Sequence, residues 1–188
     1  MSPIRVGIIG TGFGAAVQLP GFQCVDGVEV VAVVSGRLDR ARAVAAEHGV
    51  PHAFTDYREM LRAVPLDLVS VTAPPYLHYE MTLAAFAAGA HVLCEKPLAM
   101  NTQQAKEMFA AAERAGRVHA VDHEFRYVPA RATVKRLIDE GAVGDPYFVR
   151  IADLVASRPE RYYGWWFDRA RGGGLLQAIG AHYVDALR

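Results

Sequence analysis

Short apolar runs alternate with amphipathic stretches over the first two thirds of this chain. Each run is rich in valine, isoleucine and leucine and too short for a buried helix, so it is typical of a strand buried on both faces. Glycine, proline or polar residues bound the runs. The predicted strands are Ile4–Ile9, Val28–Val34, His52–Phe54, Leu66–Thr72, His91–Glu95 and Val118–Asp122.

Four stretches between these runs have helical spacing. Asp56 and Asn101 precede two of them as N-caps, and glycines follow three of them as C-caps. The alternation implies right-handed crossovers, so residues 1–122 are predicted to form an α/β domain with a doubly wound parallel sheet. The predicted helices are Asp39–His48, the residues after Asp56 through Ala63, Tyr76–Ala88 and Thr102–Ala115.

The pattern changes after Asp122. A helix is predicted over Pro129–Glu140, and the alternation in Tyr147–Val155 predicts a strand of an antiparallel sheet with one exposed face. An irregular aromatic segment, Tyr162–Phe167, precedes a final helix predicted over Leu175–Arg188. Because one strand cannot form a sheet, residues 123–188 are interpreted as the start of an incomplete α+β domain.

Composition excludes several functional classes. Hydrophobic residues make up 52% of the 188 and charged residues 21%, which is typical of a folded protein. Basic and acidic residues are equal at 20 each, so neither nucleic acid nor a membrane surface is an expected partner. No apolar run reaches the ~18 residues of a membrane span. Cys24 and Cys94 lack metal-ligand spacing, so no metal site is predicted, and the N-terminus lacks the pattern of a signal peptide, which favours the cytoplasm.

The first strand leads directly into a glycine-rich loop with the residues Gly10, Thr11, Gly12, Phe13, Gly14 and Ala15. This is the Gly-x-Gly-x-x-Ala form of the dinucleotide fingerprint of a Rossmann fold. Gly10 would allow the turn, Gly12 would let the backbone approach a pyrophosphate, and Ala15 would let the next helix pack closely. The N–H groups at the start of that helix would face the phosphates.

The end of the second strand indicates which nicotinamide cofactor is preferred. Rossmann folds that bind NAD usually carry an acid there for the ribose 2′-hydroxyl, whereas this chain has Ser35, Gly36 and Arg37. Serine and arginine can hydrogen-bond and neutralise a 2′-phosphate, so NADP is favoured over NAD. In the alternative interpretation Arg37 is a solvated residue and Asp39 reaches the ribose.

The fifth strand ends in Glu95, Lys96 and Pro97. The proline stops the strand, so the two charged residues are delivered to the carboxyl edge of the sheet, where open α/β sheets hold ligands. Only 3 of the 20 basic residues in the chain are lysines, so a lysine at this position is unusual for a chain that mostly uses arginine. Lysine can give and take a proton, which favours a chemical role for Lys96.

These motifs together resemble the Gfo/Idh/MocA oxidoreductases, the relatives of glucose-fructose oxidoreductase and inositol dehydrogenase. The resemblance spans the whole chain and is most specific around Glu95-Lys96-Pro97. Its other parts are the glycine loop, Ala73-Pro74-Pro75 with His78, Phe125-Arg126-Tyr127-Val128-Pro129, Gly141-Ala142-Val143-Gly144 and Gly172-Gly173-Gly174 leading to His182.

The resemblance implies hydride transfer between a nicotinamide cofactor and a carbon that bears a hydroxyl, on a sugar, cyclitol or related compound. Lys96 and His182 would be the catalytic pair, and Ala73, Pro74, His78 and Glu95 would lie at the cofactor. A lysine cation stabilises a developing alkoxide, and a histidine can exchange the hydroxyl proton near neutral pH.

The substrate would be held by residues of the second unit. The candidates are Arg126, Trp165, Trp166 and Asp185. The aspartate that family members often carry four residues before the histidine is replaced here by Ala178, and Asp185 is the first candidate to substitute for it, ahead of His123 and Tyr183.

The resemblance also implies a longer C-terminal domain, which often builds a homo-oligomer. The sequence therefore indicates either a fragment or a shortened relative. The alternative function is a dinucleotide-binding sensor or regulatory module without turnover, suggested by Ala178 and the short second unit.

Overall fold

Six parallel strands form one sheet in the computed structural model, which describes residues 2–154 and 164–187. Their order is β3-β2-β1-β4-β5-β6, the order of a Rossmann fold, so the predicted fold class is confirmed. The strands are β1 (Ile4–Ile9), β2 (Val28–Val34), β3 (His52–Phe54), β4 (Leu68–Val71), β5 (His91–Glu95) and β6 (His119–Asp122).

Helices connect successive strands, as the alternating pattern predicts. A π-helical turn, Gly14–Gln18, continues directly into the first α-helix. Asp56 and Asn101 cap their helices as expected, because each side chain accepts a hydrogen bond from a backbone N–H of the first turn. The helices of this unit are α1 (Leu19–Gln23), α2 (Leu38–His48), α3 (Tyr57–Ala63), α4 (Pro75–Ala87) and α5 (Thr102–Ala115).

Two apolar clusters hold the helices against opposite faces of the sheet. Successive strand residues alternate between them, so Ile8 belongs to one cluster and Ile9 to the other. The first cluster includes Leu19 of α1 and Val44 of α2. The second includes residues of α3, α4 and α5, among them the fully buried Met108. Both faces are covered, which is why the strands read as continuous apolar runs.

The strand register aligns the carboxyl ends of the central strands at one edge. Ile9 pairs with Val34 and Val71, and Val71 pairs in turn with Cys94. The strand order reverses between β1 and β4, and ligands of open α/β sheets bind outside the carboxyl ends of the strands at such a point. The segments that follow β1, β2, β4 and β5 are those that the sequence marks as functional.

Residues 1–122 form one compact unit, and residues 123–188 form a second. The regular elements described in the second unit are short 3₁₀ segments, a π-helical turn and two α-helices. They are the 3₁₀ segment Glu124–Tyr127, α6 (Pro129–Asp139), the 3₁₀ segments Trp165–Phe167 and Arg169–Arg171, a π-helical turn Leu176–Gly180 and α7 (Ala181–Ala186). None of the helices in the described ranges is both long and apolar enough to cross a membrane.

The strand predicted over Tyr147–Val155 is not present in the part that the structure describes. Residues 147–154 have no regular secondary structure, and Val155 lies outside the described residues, as do Tyr162, Tyr163 and Arg188. Alternating side chains favour a strand, but a strand also needs a hydrogen-bonded neighbour. The described part of the second unit contains no other strand to pair with it, and Tyr147 is fully exposed.

Candidate active site

The glycine loop has the backbone geometry that its sequence predicts. Gly10 follows β1 with a φ of +116°, a conformation that other residues rarely adopt. A Cβ atom there would lie 2.8 Å from the backbone oxygen of Thr72. The Thr72 hydroxyl lies within hydrogen-bond distance of the carbonyl oxygens of Ile9, at 3.0 Å, and Gly10, at 3.1 Å. The loop after β1 is thus fastened to the end of β4.

Gly12 and Gly14 have different surroundings. A Cβ atom on Gly12 would meet no atom within 4 Å, so this exposed backbone is open to a ligand, whereas a Cβ on Gly14 would lie 2.4 Å from the Thr72 hydroxyl oxygen. Close packing of helix and strand therefore depends on Gly14, a role that the sequence alone assigned to Ala15. The exposed Phe13 lies between the two glycines.

The loop contacts the end of β2 through two polar side chains. The Thr11 hydroxyl donates to the Ser35 hydroxyl oxygen at 2.9 Å, and both residues are buried. The Arg40 guanidinium, from the first turn of α2, donates to the Thr11 carbonyl at 2.8 Å. A second arginine therefore lies beside the segment where the sequence predicts a 2′-phosphate site.

Arg37 and Asp39, the two alternatives for the cofactor ribose, form an ion pair with each other. The Arg37 Nη2 lies 2.5 Å from Asp39 Oδ2, and both side chains are about two-thirds to three-quarters exposed. The hydrogen bond from Arg37 lowers the pKa of Asp39 below its usual value. Exposed pairs of this kind contribute little to stability, so an incoming phosphate could displace Asp39 from the arginine. Gly36 is exposed beside them.

Glu95 is buried at the end of β5 and orients the residues around it. Its Oε1 accepts a hydrogen bond from the Gln18 amide at 2.9 Å, and its Oε2 accepts one from the Lys96 backbone N–H at 3.2 Å. The same Gln18 amide donates to Asp122 Oδ2 at 2.7 Å, and the Ser70 hydroxyl donates to the Gln18 side-chain oxygen. One glutamine thus joins the segment after the glycine loop to β4, β5 and β6.

His78, predicted to lie at the cofactor, has no exposed surface. Its Nδ1 lies 2.9 Å from the Pro97 carbonyl oxygen and its Nε2 lies 2.7 Å from that of Ala73. The imidazole therefore lies beneath the loops and cannot contact a ligand in this conformation. Ala73 and Pro74, which follow β4, are partly exposed at the edge itself, as is Lys96. Burial lowers the pKa of His78.

The second unit surrounds His182 with aromatic and acidic groups. The His182 side chain is nearly fully buried on α7, and its ring stacks on Phe125 with centroids 3.9 Å apart and planes inclined by 20°. Its Nε2 lies 3.6 Å from Glu124 Oε1. The sequence pattern offered Asp185 as the carboxylate for this histidine, and the structure places Glu124 there.

Asp185 forms an ion pair with Arg126. Arg126 donates to both of its oxygens, at 2.6 and 2.7 Å, and this pairing raises the pKa of Arg126. His123 Nδ1 lies 3.9 Å from the same carboxylate. Two of the four predicted substrate residues are thus brought together. A cavity of about 670 Å³ in this unit is lined by Arg126, Asp185, His182, Phe125 and side chains of α6.

The other two predicted substrate residues, Trp165 and Trp166, lie in a 3₁₀ turn with ring centroids 5.0 Å apart. They are outside the described lining of that cavity. A Cβ atom on Gly173 would lie 2.3 Å from the Trp165 carbonyl oxygen, and Gly174 donates its N–H to the Trp166 carbonyl. The triple glycine is therefore explained by close backbone packing against the tryptophans.

Sequence reasoning missed Arg40, Gln18 and Glu124. Arg40 had a visible signal, since it follows Arg37 by three residues at the start of a helix. Gln18 also had one, as a lone polar residue between apolar Val17 and Leu19. Glu124 had none, because its contact with His182 depends on how a 3₁₀ turn and a helix distant in the sequence pack together.

Comparison with known families accounts for most of the chain. Residues 4–123 match a family model described as an oxidoreductase family with an NAD-binding Rossmann fold. Residues 131–188 match the model of the GFO/IDH/MocA C-terminal domain. The first match covers more than half of the chain and includes the whole sheet.

Individual relatives agree with these matches. The chain is 38% identical to D-glucoside 3-dehydrogenase of Escherichia coli (strain K12), over 98% of this chain and 53% of the relative. It is also 38% identical to 1,5-anhydro-D-fructose reductase of Ensifer adhaerens, over 98% and 55%. A 3-ketoreductase from Actinomadura kijaniata, solved with NADP, has a TM-score of 0.71 and 34% identity, over 77% of this chain and 46% of that one. The chain spans about half the length of the curated relatives that it matches.

Proposed function

This chain belongs to the Gfo/Idh/MocA oxidoreductase family, and we propose that it carries the cofactor site and acid–base groups of an NADP-preferring dehydrogenase or reductase. Its substrate would be a hydroxyl or carbonyl group of a sugar-like or cyclitol compound. One observation supports this most: the glycine loop, the Ser35–Arg37 segment and Lys96 all follow strand ends at one edge of the sheet, at the point where the strand order reverses. The relatives named after glucosides and anhydrofructose favour the sugar class.

The residues at this edge fit a dinucleotide. Exposed backbone at Gly12, where a Cβ atom would meet nothing within 4 Å, suits a pyrophosphate, and the flanking loop residues Gly10, Thr11, Phe13 and Gly14 would shape the approach. Ser35, Gly36 and Arg37, together with Arg40, would hold the adenosine ribose and its 2′-phosphate. Ala73, Pro74, Glu95 and Lys96 would lie at the nicotinamide end.

The bound nicotinamide would supply the hydride acceptor for alcohol oxidation, or the donor for the reverse reaction. The protein must then manage the proton and the charge on the substrate oxygen. We assign His182 to take the proton of the hydroxyl as the carbonyl forms, and Lys96 to stabilise the negative charge that develops on that oxygen. Glu95 would fix Lys96 through the hydrogen bond to its backbone N–H.

Turnover with sugars and polyols tests the proposal. NADPH oxidation or NADP reduction is measured over a panel of these compounds for the wild type, Lys96→Ala and Lys106→Ala, the last being an exposed lysine of α5. We expect a loss of at least ~100-fold in kcat for Lys96→Ala and no change for Lys106→Ala. Equal rates for all three proteins would remove Lys96 from the mechanism. Tight NADPH binding without turnover of any compound would favour a sensor.

Cofactor choice is tested separately by charge reversal at Arg37. The Arg37→Glu variant should weaken NADP binding more than NAD binding, because only NADP carries the 2′-phosphate. The matched control is Arg42→Glu, at an exposed arginine of α2, the helix that Arg37 precedes, and it should leave both affinities near those of the wild type. An equal loss for NAD and NADP in Arg37→Glu would refute the phosphate contact.

A further inference from the structure

His182 lies in a setting that makes protonation costly without help. Its side chain is 1% exposed and its ring is stacked on Phe125. An imidazolium in such a place loses its hydration, which disfavours the charged form. A histidine that accepts a proton from a substrate hydroxyl must nevertheless pass through that form, so a negative group is needed nearby.

Glu124 is positioned to supply that negative charge. Its Oε1 lies 3.6 Å from His182 Nε2, a distance at which an opposite charge favours the protonated ring. Its other carboxylate oxygen, Oε2, is buried and has no hydrogen-bond partner among the described residues. A buried carboxylate oxygen without a donor is unfavourable by itself, and a positive charge on His182 offsets that cost.

Other charged groups near this ring have partners of their own, including the α6 pairs Lys135–Asp139 and Arg136–Glu140, which line the same cavity. Asp185 forms the two-bond pair with Arg126 and also faces His123, whose ring centroid lies 5.9 Å from that of His182. Arg131 stacks on Phe125, with its guanidinium carbon 4.1 Å from that ring's centroid. Tyr183, also on α7, donates to Asp153. Ala178, in the helical turn before His182, carries no charge.

We propose that Glu124 is the positioning residue for His182: it orients the imidazole and stabilises its protonated form, in the place of a carboxylate on the histidine's own helix. The proposal rests on the proposed function for its catalytic meaning, since His182 has a proton to exchange only if the protein turns over an alcohol or carbonyl. The Glu124–His182 interaction itself can be measured without any substrate.

The first test is an NMR titration of His182 in full-length protein with ¹³C-labelled histidine, its signal assigned by comparison with His182→Gln. We expect the pKa of His182 to fall by about one pH unit in Glu124→Gln, because the neutral amide has the same shape without the charge. Glu124→Asp keeps the charge further from the ring and should give a smaller fall. Glu113→Gln, an exposed glutamate of α5, is the matched control and should cause none.

The second test is the pH profile of kcat for a compound that the wild type turns over. In alcohol oxidation the acidic limb should move to lower pH in Glu124→Gln by the same amount as the titration, with kcat reduced and KM nearly unchanged. A His182 pKa that is the same in the wild type and in the folded Gln or Asp variant would overturn the proposal. A shifted pKa in a protein that turns over nothing would support the Glu124 contact and count against the proposed function instead.

Discussion

At the scale of single residues, alanine substitutions at two glycines of the same loop are expected to have different effects. Gly10 adopts a positive φ and faces the backbone of Thr72, whereas Gly12 faces open space. Gly10→Ala should therefore lower the free energy of unfolding by about 1–3 kcal/mol. Gly12→Ala should leave stability within ~0.5 kcal/mol of the wild type but weaken NADPH binding, since the added methyl group would stand where we propose that the pyrophosphate approaches.

Urea denaturation and fluorescence titration with NADPH measure the two effects separately. Gly21→Ala, another exposed glycine with no atom within 4 Å of its Cβ position, is the control and should alter neither the unfolding midpoint nor NADPH binding strongly. A Gly12→Ala protein that binds NADPH as tightly as the wild type would argue against a pyrophosphate at that backbone.

Residue-level predictions from the sequence succeed where the requirement is local. The conformation of Gly10 and the strand-end position of Lys96 follow from the residues on either side. The partner of His182 does not. Asp185 is three residues away on one helix, a spacing that brings side chains near each other, yet its carboxylate is held by Arg126 from outside that helix. Only the packing of the 3₁₀ turn brings Glu124 to the imidazole.

At the scale of elements, a strand predicted from the hydrophobic pattern forms only where a neighbouring strand can pair with it. In the first unit each apolar run has a parallel neighbour, and all six predicted strands form. In the second unit Tyr147–Val155 has equally good alternation, but residues 147–154 are without regular structure and have no strand beside them among the described residues. Periodicity reports which face of a strand is apolar and contains no information about what pairs with it.

The segment after the glycine loop is anchored to the sheet by Gln18, which bridges two carboxylates. Its amide donates to Glu95 and Asp122, so Gln18→Glu would place a third carboxylate between them. We expect this variant to be less stable than the wild type by about 2–4 kcal/mol at pH 8, and the loss to shrink toward pH 5 as one of the three carboxylates takes up a proton.

Denaturation at the two pH values tests this anchoring. Gln23→Glu is the matched control, because the Gln23 amide donates to the His48 carbonyl at an exposed position. The Gln23→Glu variant should lose little free energy of unfolding at either pH. If Gln18→Glu lost the same stability at pH 5 and pH 8, the effect would come from altered packing, and the glutamine would not act as the donor between two charged carboxylates.

At the scale of the whole molecule, one buried histidine links the stability of the fold to the edge of the sheet where we propose that the cofactor binds. His78 lies between the carbonyls of Ala73 and Pro97, so it connects the loop after β4 to the turn after β5. Burial lowers its pKa, against the opposing effect of the carbonyls of Ala73, Pro97 and Leu98, and the charge of Lys96 lowers it further. Burial also lowers the pKa of His119.

The sign of the resulting pH dependence follows from these shifts. An unfolded histidine titrates near ~6.5, so below that pH the unfolded chain binds more protons than the folded chain, and stability falls as the pH decreases. Between pH 6.5 and 5.5 the loss from His78 should be at most about 1.4 kcal/mol. Carboxylates with lowered pKa values, such as Asp67, lose their contribution only as the pH falls below ~3.9 and do not overlap this window.

Urea denaturation of the wild type, His78→Gln and His52→Gln at pH 7.0, 6.5, 6.0 and 5.5 measures that slope. His78→Gln should be less stable at pH 7 but show a flatter pH dependence, because a glutamine has no proton to gain in this range. His52 is exposed on β3, so His52→Gln should reproduce the slope of the wild type. A slope unchanged by His78→Gln would mean that the fold tolerates the imidazolium form between the two carbonyls, whose oxygens both accept hydrogen bonds. The turn that carries Lys96 would then stay fixed on acidification, and any loss of NADPH binding at low pH would have to come from another group.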